Sequence, residues 1–271
     1  MTAESANKIL QAVRETAPLV HCITNPISIH LCANGILAVG ARPIMAEHPG
    51  EVAEITATAS ALLLNLGNIT DSRMESMLLS GTAARKRGIP IVLDAVGAAC
   101  SRLRRSFAKS LINQVSPTVI KGNYSEILAL SDGTYESAGV DTDPNVKQDM
   151  VFAAMRKLSA QNGAIILASG KTDLIMYEKT LIRVQNGTTS LSRITGTGCL
   201  LGALTACFLS ARPDICGAAT ACVVLGISGE TADTEKGVGT FTAGLLDALS
   251  TLDDKQIKTL LKTEESGIEN I

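Results

Sequence analysis

A chain of 271 residues with 46% hydrophobic and 18% charged residues can bury a full core, which excludes a disordered polymer. Its 24 Lys and Arg against 26 Asp and Glu give a net charge of −2, and aromatics are 3% of the chain. There is thus neither a basic footprint nor a set of stacking rings for nucleic acid.

The opening MTAESANKIL lacks the basic-then-apolar layout of a secretory signal. Short apolar runs at 19–22, 43–45, 61–65, 90–94, 118–121 and 164–168 read as strands. Helical patterns at 27–37, 50–58, 72–87, 101–115 and 147–162 lie between them. Asn25-Pro26 reads as a helix cap followed by the first helical residue, and Gly88 as a helix stop. Runs such as IVLD and IILA are apolar at successive positions, as strands buried on both faces of a parallel sheet are. The alternation predicts an α/β fold with helices on both sides of the sheet.

After Ser169 the pattern changes. Segments 172–177 and 181–185 flank Glu178-Lys179 as a hairpin, and from 197 onward everything reads as helix: 197–210, 218–233, 240–249 and 254–263. No linker, repeat or low-complexity tract interrupts the chain, so one domain over 1–271 is expected. The charge-free stretches 194–211 and 215–229 raise the question of membrane spans. Their Gly, Ala, Ser and Thr content and the turn Arg212-Pro213-Asp214 favour two helices buried in a protein core. Seven cysteines, an odd number with no C-x-x-C pair, read as reduced thiols of a cytoplasmic protein.

Ser169-Gly170-Lys171-Thr172 matches the tail of a phosphate-binding P-loop, but Ile165 stands where the first glycine belongs and a strand pattern follows. The segment is instead a polar strand end, where parallel sheets collect ligands. Gly196-Thr197-Gly198-Cys199 opens a long apolar helix, so its backbone N–H groups and the helix dipole suit an anion. Cys199 stands in that first turn, with the positive end of the dipole at its sulfur. Asp94 and Glu126 follow two predicted strands and, if those are parallel, reach one sheet edge, where carboxylates suit Mg²⁺ with its waters. Either is equally a helix cap or a loop acid, and Asn123 is placed to cap the helix carrying Glu126. His21, His30 and His48 have no metal-ligand spacing with the cysteines. Asn25 and Met45 end neighbouring strands, offering a polar and an adaptable apolar group to a small heteroaromatic ligand.

These residues resemble the hydroxyethylthiazole kinase family of the ribokinase-like superfamily. The resemblance is carried by VHCITN (20–25), CANG (32–35), PIMAEHPGEV (43–52), LLLNLGN (62–68), GIPIVLDAVG (88–97), IKGNYSEI (120–127), ITGTGCLLGA (194–203) and GVGTFTAGLLDAL (237–249). It implies a three-layer fold with a mainly parallel central sheet. It also implies ATP- and Mg²⁺-dependent phosphorylation of 4-methyl-5-(2-hydroxyethyl)thiazole in thiamine salvage, by a homotrimer with sites between subunits. Carried over residue by residue, it implies that Met45, Gly196 and Asn25 meet the thiazole. Lys121, Ser169, Thr197 and Gly198 fall to ATP, Asp94 and Glu126 to the metal, and Cys199 to the catalytic-base position, where the superfamily usually has Asp. The family pattern has Pro at 95, Arg at 121 and Thr at 169, where Ala95, Lys121 and Ser169 stand. Its Tyr, Asn and Asp around 26–31 give way to Pro26, His30 and Leu31.

Three rivals follow from the same residues. An ATP-dependent dehydratase of this fold would favour Asp at 199. A cysteine hydrolase would pair Cys199 with His21. A ligand-binding module would bind without turnover.

Overall fold

The structure is a computed structural model that describes residues 1–133, 135 and 147–267. The first half of the chain runs α1 (Ala3–Thr16), β1 (Leu19–Ile23), α2 (Ile29–Ala38), β2 (Arg42–Ile44), α3 (Val52–Thr58), β3 (Ala61–Asn65) and α4 (Asp71–Arg87). It continues through β4 (Ile91–Asp94), α5 (Arg102–Val115), β5 (Val119–Asn123), α6 (Tyr124–Ser131), α7 (Gln148–Asn162) and β6 (Ile165–Ser169). Then come β7 (Asp173–Tyr177), β8 (Thr180–Val184), a 3-10 turn (Thr189–Arg193), α8 (Thr197–Ala211), α9 (Ile215–Ala232), α10 (Val238–Thr251), α11 (Asp254–Leu260) and β9 (Thr263–Gly267).

The strands form one sheet in the order β2-β1-β3-β4-β5-β6-β7-β8-β9. Strands β1 to β6 are parallel, and β7, β8 and β9 are antiparallel. Because side chains alternate across a strand, the apolar runs feed two cores. Leu63, Val92, Val119 and Ile165 pack with α1, α2 and α8–α11. Leu62, Leu64, Ile91, Leu93, Ile120 and Ile166 pack with α3–α7. This is the three-layer α/β arrangement the alternation predicted.

Three readings of the sequence are corrected. Helix α1 is not among the elements expected above, although Ala6, Ile9, Leu10 and Val13 make a buried stripe at helical spacing and Thr2 caps it, its side chain accepting from Ser5 N at 3.2 Å. Helix α2 begins after Ser28, not at Pro26: Asn25 instead closes a turn, accepting from Ser28 N through its side chain at 3.0 Å. The predicted terminal helix 254–263 ends at Leu260, and β9 follows as an edge strand of mostly polar residues with no apolar alternation to betray it.

Helix α9 is long and apolar enough to cross a membrane by length and composition. Its residues 217–229 are buried in the core, packed by α8, α10 and β7. All seven cysteines are free thiols.

Candidate active site

The order β2-β1-β3 means that the chain leaves β1 to one side and returns to the other, which opens a crevice between the C-terminal ends of β1 and β3. Register does the rest. Asn65 pairs with Asp94 across β3 and β4, and Asp94 with Lys121 across β4 and β5, so one row of polar side chains ends three apolar strands. That row lies on the side of the sheet covered by α8, whose Gly202 lies so near Asp94 that a Cβ there would meet Oδ2 at 3.0 Å.

The row is joined by hydrogen bonds into a circuit. The Asn25 Nδ2 group donates to Cys199 Sγ at 3.3 Å and to Asn65 Oδ1 at 3.2 Å. Asn65 Nδ2 donates to Asp94 Oδ2 at 2.9 Å. Lys121 Nζ donates to Asp94 Oδ1 and Oδ2 at 3.1 and 3.0 Å, and to the Gly198 carbonyl at 2.8 Å, one residue from Cys199. Every side chain in it is buried: Asn65 and Asp94 are 0% exposed, and Cys199, the most open of these side chains, 8%. Burial pushes the Asp94 carboxyl up and is the largest effect working against charge on Lys121, but Asp94, Cys199 and Glu126 together outweigh it and hold the ammonium above its usual range. With three acceptors around one Nζ, the geometry is that of an ion pair.

Sequence reasoning placed Lys121 against ATP. Its three protons are spent inside the protein and its exposure is 2%, so a phosphate contact requires one of those bonds to be given up. Thr197 is likewise turned inward: its hydroxyl donates to the carbonyls of Leu191 and Ile194, leaving its backbone N–H for a ligand. The first helical bond of α8 is Leu200 N to Gly196 O at 2.8 Å. Among the described residues no acceptor meets the N–H groups of Thr197, Gly198 and Cys199, which open the helix. Gly196 adopts φ 96°, and a Cβ there would stand 2.9 Å from the Ser28 Cβ, so the turn requires glycine. Ser169 ends β6 beside Asn123, half-buried, with Oγ 3.4 Å from the Gly122 carbonyl.

Glu126 is the third residue of α6 in a reciprocal capping box, accepting from Asn123 N at 2.7 Å while Asn123 accepts from Glu126 N at 2.9 Å. Its other oxygen accepts from Gly97 N at 2.7 Å. The helix-cap reading of this acid therefore holds. Burial drives its carboxyl up to about 7, against the pull of Lys121, so it gains charge when a cation approaches. Asp94 already bonds through both oxygens and Glu126 through both of its own, and no group of three metal-ligating side chains occurs among the described residues. This donor set fits hydrated Mg²⁺ held through its waters, not an ion stripped by direct ligation.

Met45 follows β2, half-buried against the core. The next carbonyl, of Ala46, meets His21 Nε2 at 2.9 Å, and His21 Nδ1 meets Thr56 Oγ1 at 2.8 Å. Both imidazole nitrogens are thus engaged away from Cys199, which removes the geometry of the hydrolase rival. Sequence reasoning missed Asn65 altogether. The signal available was its place at the end of an apolar strand next to the one ending in Asp94.

A ribokinase-like superfamily protein from Enterococcus faecalis V583 superimposes with a TM-score of 0.64 at 14% identity, over 95% of this chain and 96% of that one, which defines the ribokinase-like α/β fold. The match tightens with a hydroxyethylthiazole kinase protein from Pyrococcus horikoshii OT3: TM-score 0.88, 30% identity, covering 97% of this chain and 99% of that one. Hydroxyethylthiazole kinase 2 of Clostridium botulinum strain 657 is 43% identical over 91% of this chain and 95% of its own length. The model of the hydroxyethylthiazole kinase family matches residues 10–255. The chain belongs to the hydroxyethylthiazole kinase family.

Proposed function

We propose that the chain, acting as a single domain, transfers the γ-phosphoryl group of ATP to the hydroxyl of 4-methyl-5-(2-hydroxyethyl)thiazole in thiamine salvage. The observation that carries this reading is the circuit from Cys199 through Asn25 and Asn65 to Asp94, lying beneath the open N-terminal turn of α8. Its parts match the demands of phosphoryl transfer, which are positioning and charge stabilisation more than covalent chemistry.

The N–H groups of Thr197, Gly198 and Cys199 receive the γ-phosphoryl oxygens as charge shifts toward the leaving phosphate. The acceptor oxygen bonds to γ-phosphorus as the bond to the β-phosphate oxygen breaks, and the hydroxyl proton passes to the Cys199 sulfur in its deprotonated form, which accepts from Asn25. Asp94 and Glu126 would hold Mg²⁺, which would supply positive charge against the phosphates. Ser169 lies on the nucleotide side; Met45, Asn25 and Gly196 frame the thiazole. Lys121 acts on ATP through the turn it holds.

The exposed apolar side chains of Ile27, Leu37 and Val238, at the adjoining helices α2 and α10, support assembly as a homotrimer with sites between subunits. Free thiols support a cytoplasmic location.

The test is ADP release on the purified chain with hydroxyethylthiazole, a hydroxymethylpyrimidine and pyridoxal as acceptors. The thiazole should give the highest kcat/KM by about 10²-fold. Preference for another alcohol overturns the acceptor, and absence of ADP with all three overturns the reaction.

A further inference from the structure

We propose that Asn65 is a positioning residue for the transfer: it fixes the Asn25 carboxamide so that the amide donates to the Cys199 sulfur, and it ties that sulfur to Asp94. The inference rests on the phosphoryl-transfer reading above and goes beyond it in assigning a residue that touches no substrate.

The orientation of both amides follows from their backbone partners. Ser28 N donates to Asn25 Oδ1 at 3.0 Å, and a backbone N–H can only donate, so the other terminal atom of Asn25 is the NH₂ group. Gly67 N donates to Asn65 Oδ1 at 2.9 Å, which fixes Asn65 in the same way. Asn25 Nδ2 then spends one proton on Asn65 Oδ1 and the other on Cys199 Sγ. Asn65 Oδ1 fills both lone pairs, from Gly67 N and Asn25 Nδ2, while its own Nδ2 holds Asp94 Oδ2.

One consequence is chemical. The sulfur receives an N–H, so its own proton, when present, points away from Asn25. Without Asn65 Oδ1, one Asn25 proton is orphaned in a buried place, and the amide turns to satisfy it. The contact also spans the crevice between β1 and β3. Gly67 shows how closely it is built, since a Cβ there would stand 2.6 Å from Asn25 Nδ2 and 2.9 Å from Asn65 Oδ1.

The experiment follows iodoacetamide alkylation of each cysteine by peptide mass spectrometry, with exposed Cys100 as the internal reference. A donor on sulfur favours the thiolate that the reagent attacks. Asn65→Ala should slow Cys199 alkylation relative to Cys100 by about tenfold. Asn25→Ala should do the same, and the double variant should add no further loss beyond about twofold, because both act through one contact. In the ATP-dependent assay Asn65→Ala should lower kcat about tenfold or more while KM for ATP moves less than about threefold. Gly67→Ala, which keeps both amides and crowds their contact, should lower Cys199 alkylation in the same direction and decides the matter if Asn65→Ala does not fold. Unchanged or faster alkylation of Cys199 in the folded variants, or additive losses in the double variant, would overturn the proposal. Alkylation needs no ATP, so a wild-type chain that makes no ADP sinks the phosphoryl-transfer reading while leaving the sulfur contact still measured.

Discussion

The ammonium of Lys121 lies 2.8 Å from the carbonyl oxygen of Gly198, inside the turn that opens α8. The same nitrogen bridges both oxygens of Asp94, so one point charge links the end of β4 to the first turn of α8. Three protons on a tetrahedral nitrogen suit three acceptors in different directions. A planar guanidinium fork, which favours two parallel contacts, does not suit them equally. Lysine at 121 is therefore a structural statement about this chain and not merely a weaker phosphate ligand.

Replacing Lys121 by Met keeps the length of the side chain and removes its charge. Asp94 would remain buried with Asn65 as its side-chain donor. Breaking a buried pair from one side costs about 3–5 kcal/mol. Urea unfolding of Lys121→Met should lose that much, and an unchanged midpoint would mean that Asp94 and Lys121 are not ionised in the folded chain.

Gly198 has room for a side chain: a Cβ there meets only Lys121 Nζ within 4 Å, at 3.7 Å. Gly198→Asp should therefore fold, with its carboxylate at the mouth of the turn beside Lys121. It should depress ATP turnover about 10²-fold or more, as loss of an oxyanion donor does. ADP release alongside a melting curve checks both halves. Normal turnover by a folded variant removes the turn from the mechanism.

Much of this site is written in strand ends that single-chain pattern can read. Asp94 closes a run of apolar residues, and Gly196 and Gly198 flank a residue that opens an apolar helix; both features were visible as they stand. Asn65 was not, because an asparagine that closes an apolar strand carries no sign of which groups lie beside it. Only the register that sets it beside Asp94 gives it a partner. Lys121 is given to ATP by the family resemblance alone, because the burial and partners of a lysine depend on its neighbours in the sheet. Ala95 shows the same limit: its N–H donates to the Lys121 carbonyl at 2.8 Å, a bond the proline of the family pattern cannot make.

The pH dependence of stability has a definite sign at Glu126. Burial holds its carboxyl protonated up to about 7 in the folded chain, against 4.5 for the free side chain. Between those values the folded state binds more protons than the unfolded state, so the free energy of unfolding falls as pH rises through that window. Urea midpoints from pH 4.5 to 8 should show this decline, and Glu126→Gln, which does not titrate, should flatten it. An identical slope in the variant would assign the decline to other groups. Activity should run the opposite way if Glu126 has the proposed metal role: kcat/KM for ATP should fall as pH drops below about 7, because the charge that would face Mg²⁺ is then lost.

His21 offers a separate handle on the acceptor side. It is fully buried, and burial holds its imidazole below the usual histidine range, so the ring is neutral near pH 7. A carbonyl only accepts, so Nε2 carries the proton toward Ala46 O, while Nδ1 faces the Thr56 hydroxyl, whose single proton is shared with the Val52 carbonyl 2.8 Å away. That bond fixes the backbone directly after Met45. The segment is held from the other side by Ser76 Oγ, which donates to the Glu47 carbonyl at 2.7 Å, and by Arg73, which donates to the Glu47 carboxylate at 2.7 Å. His21→Phe preserves bulk and releases the Ala46 carbonyl. Its KM for the thiazole should rise about tenfold, the worth of one buried hydrogen bond, while KM for ATP stays within about twofold. An equal rise for both substrates would place the effect in the fold as a whole, and no rise for either would show that Met45 keeps its place without the histidine.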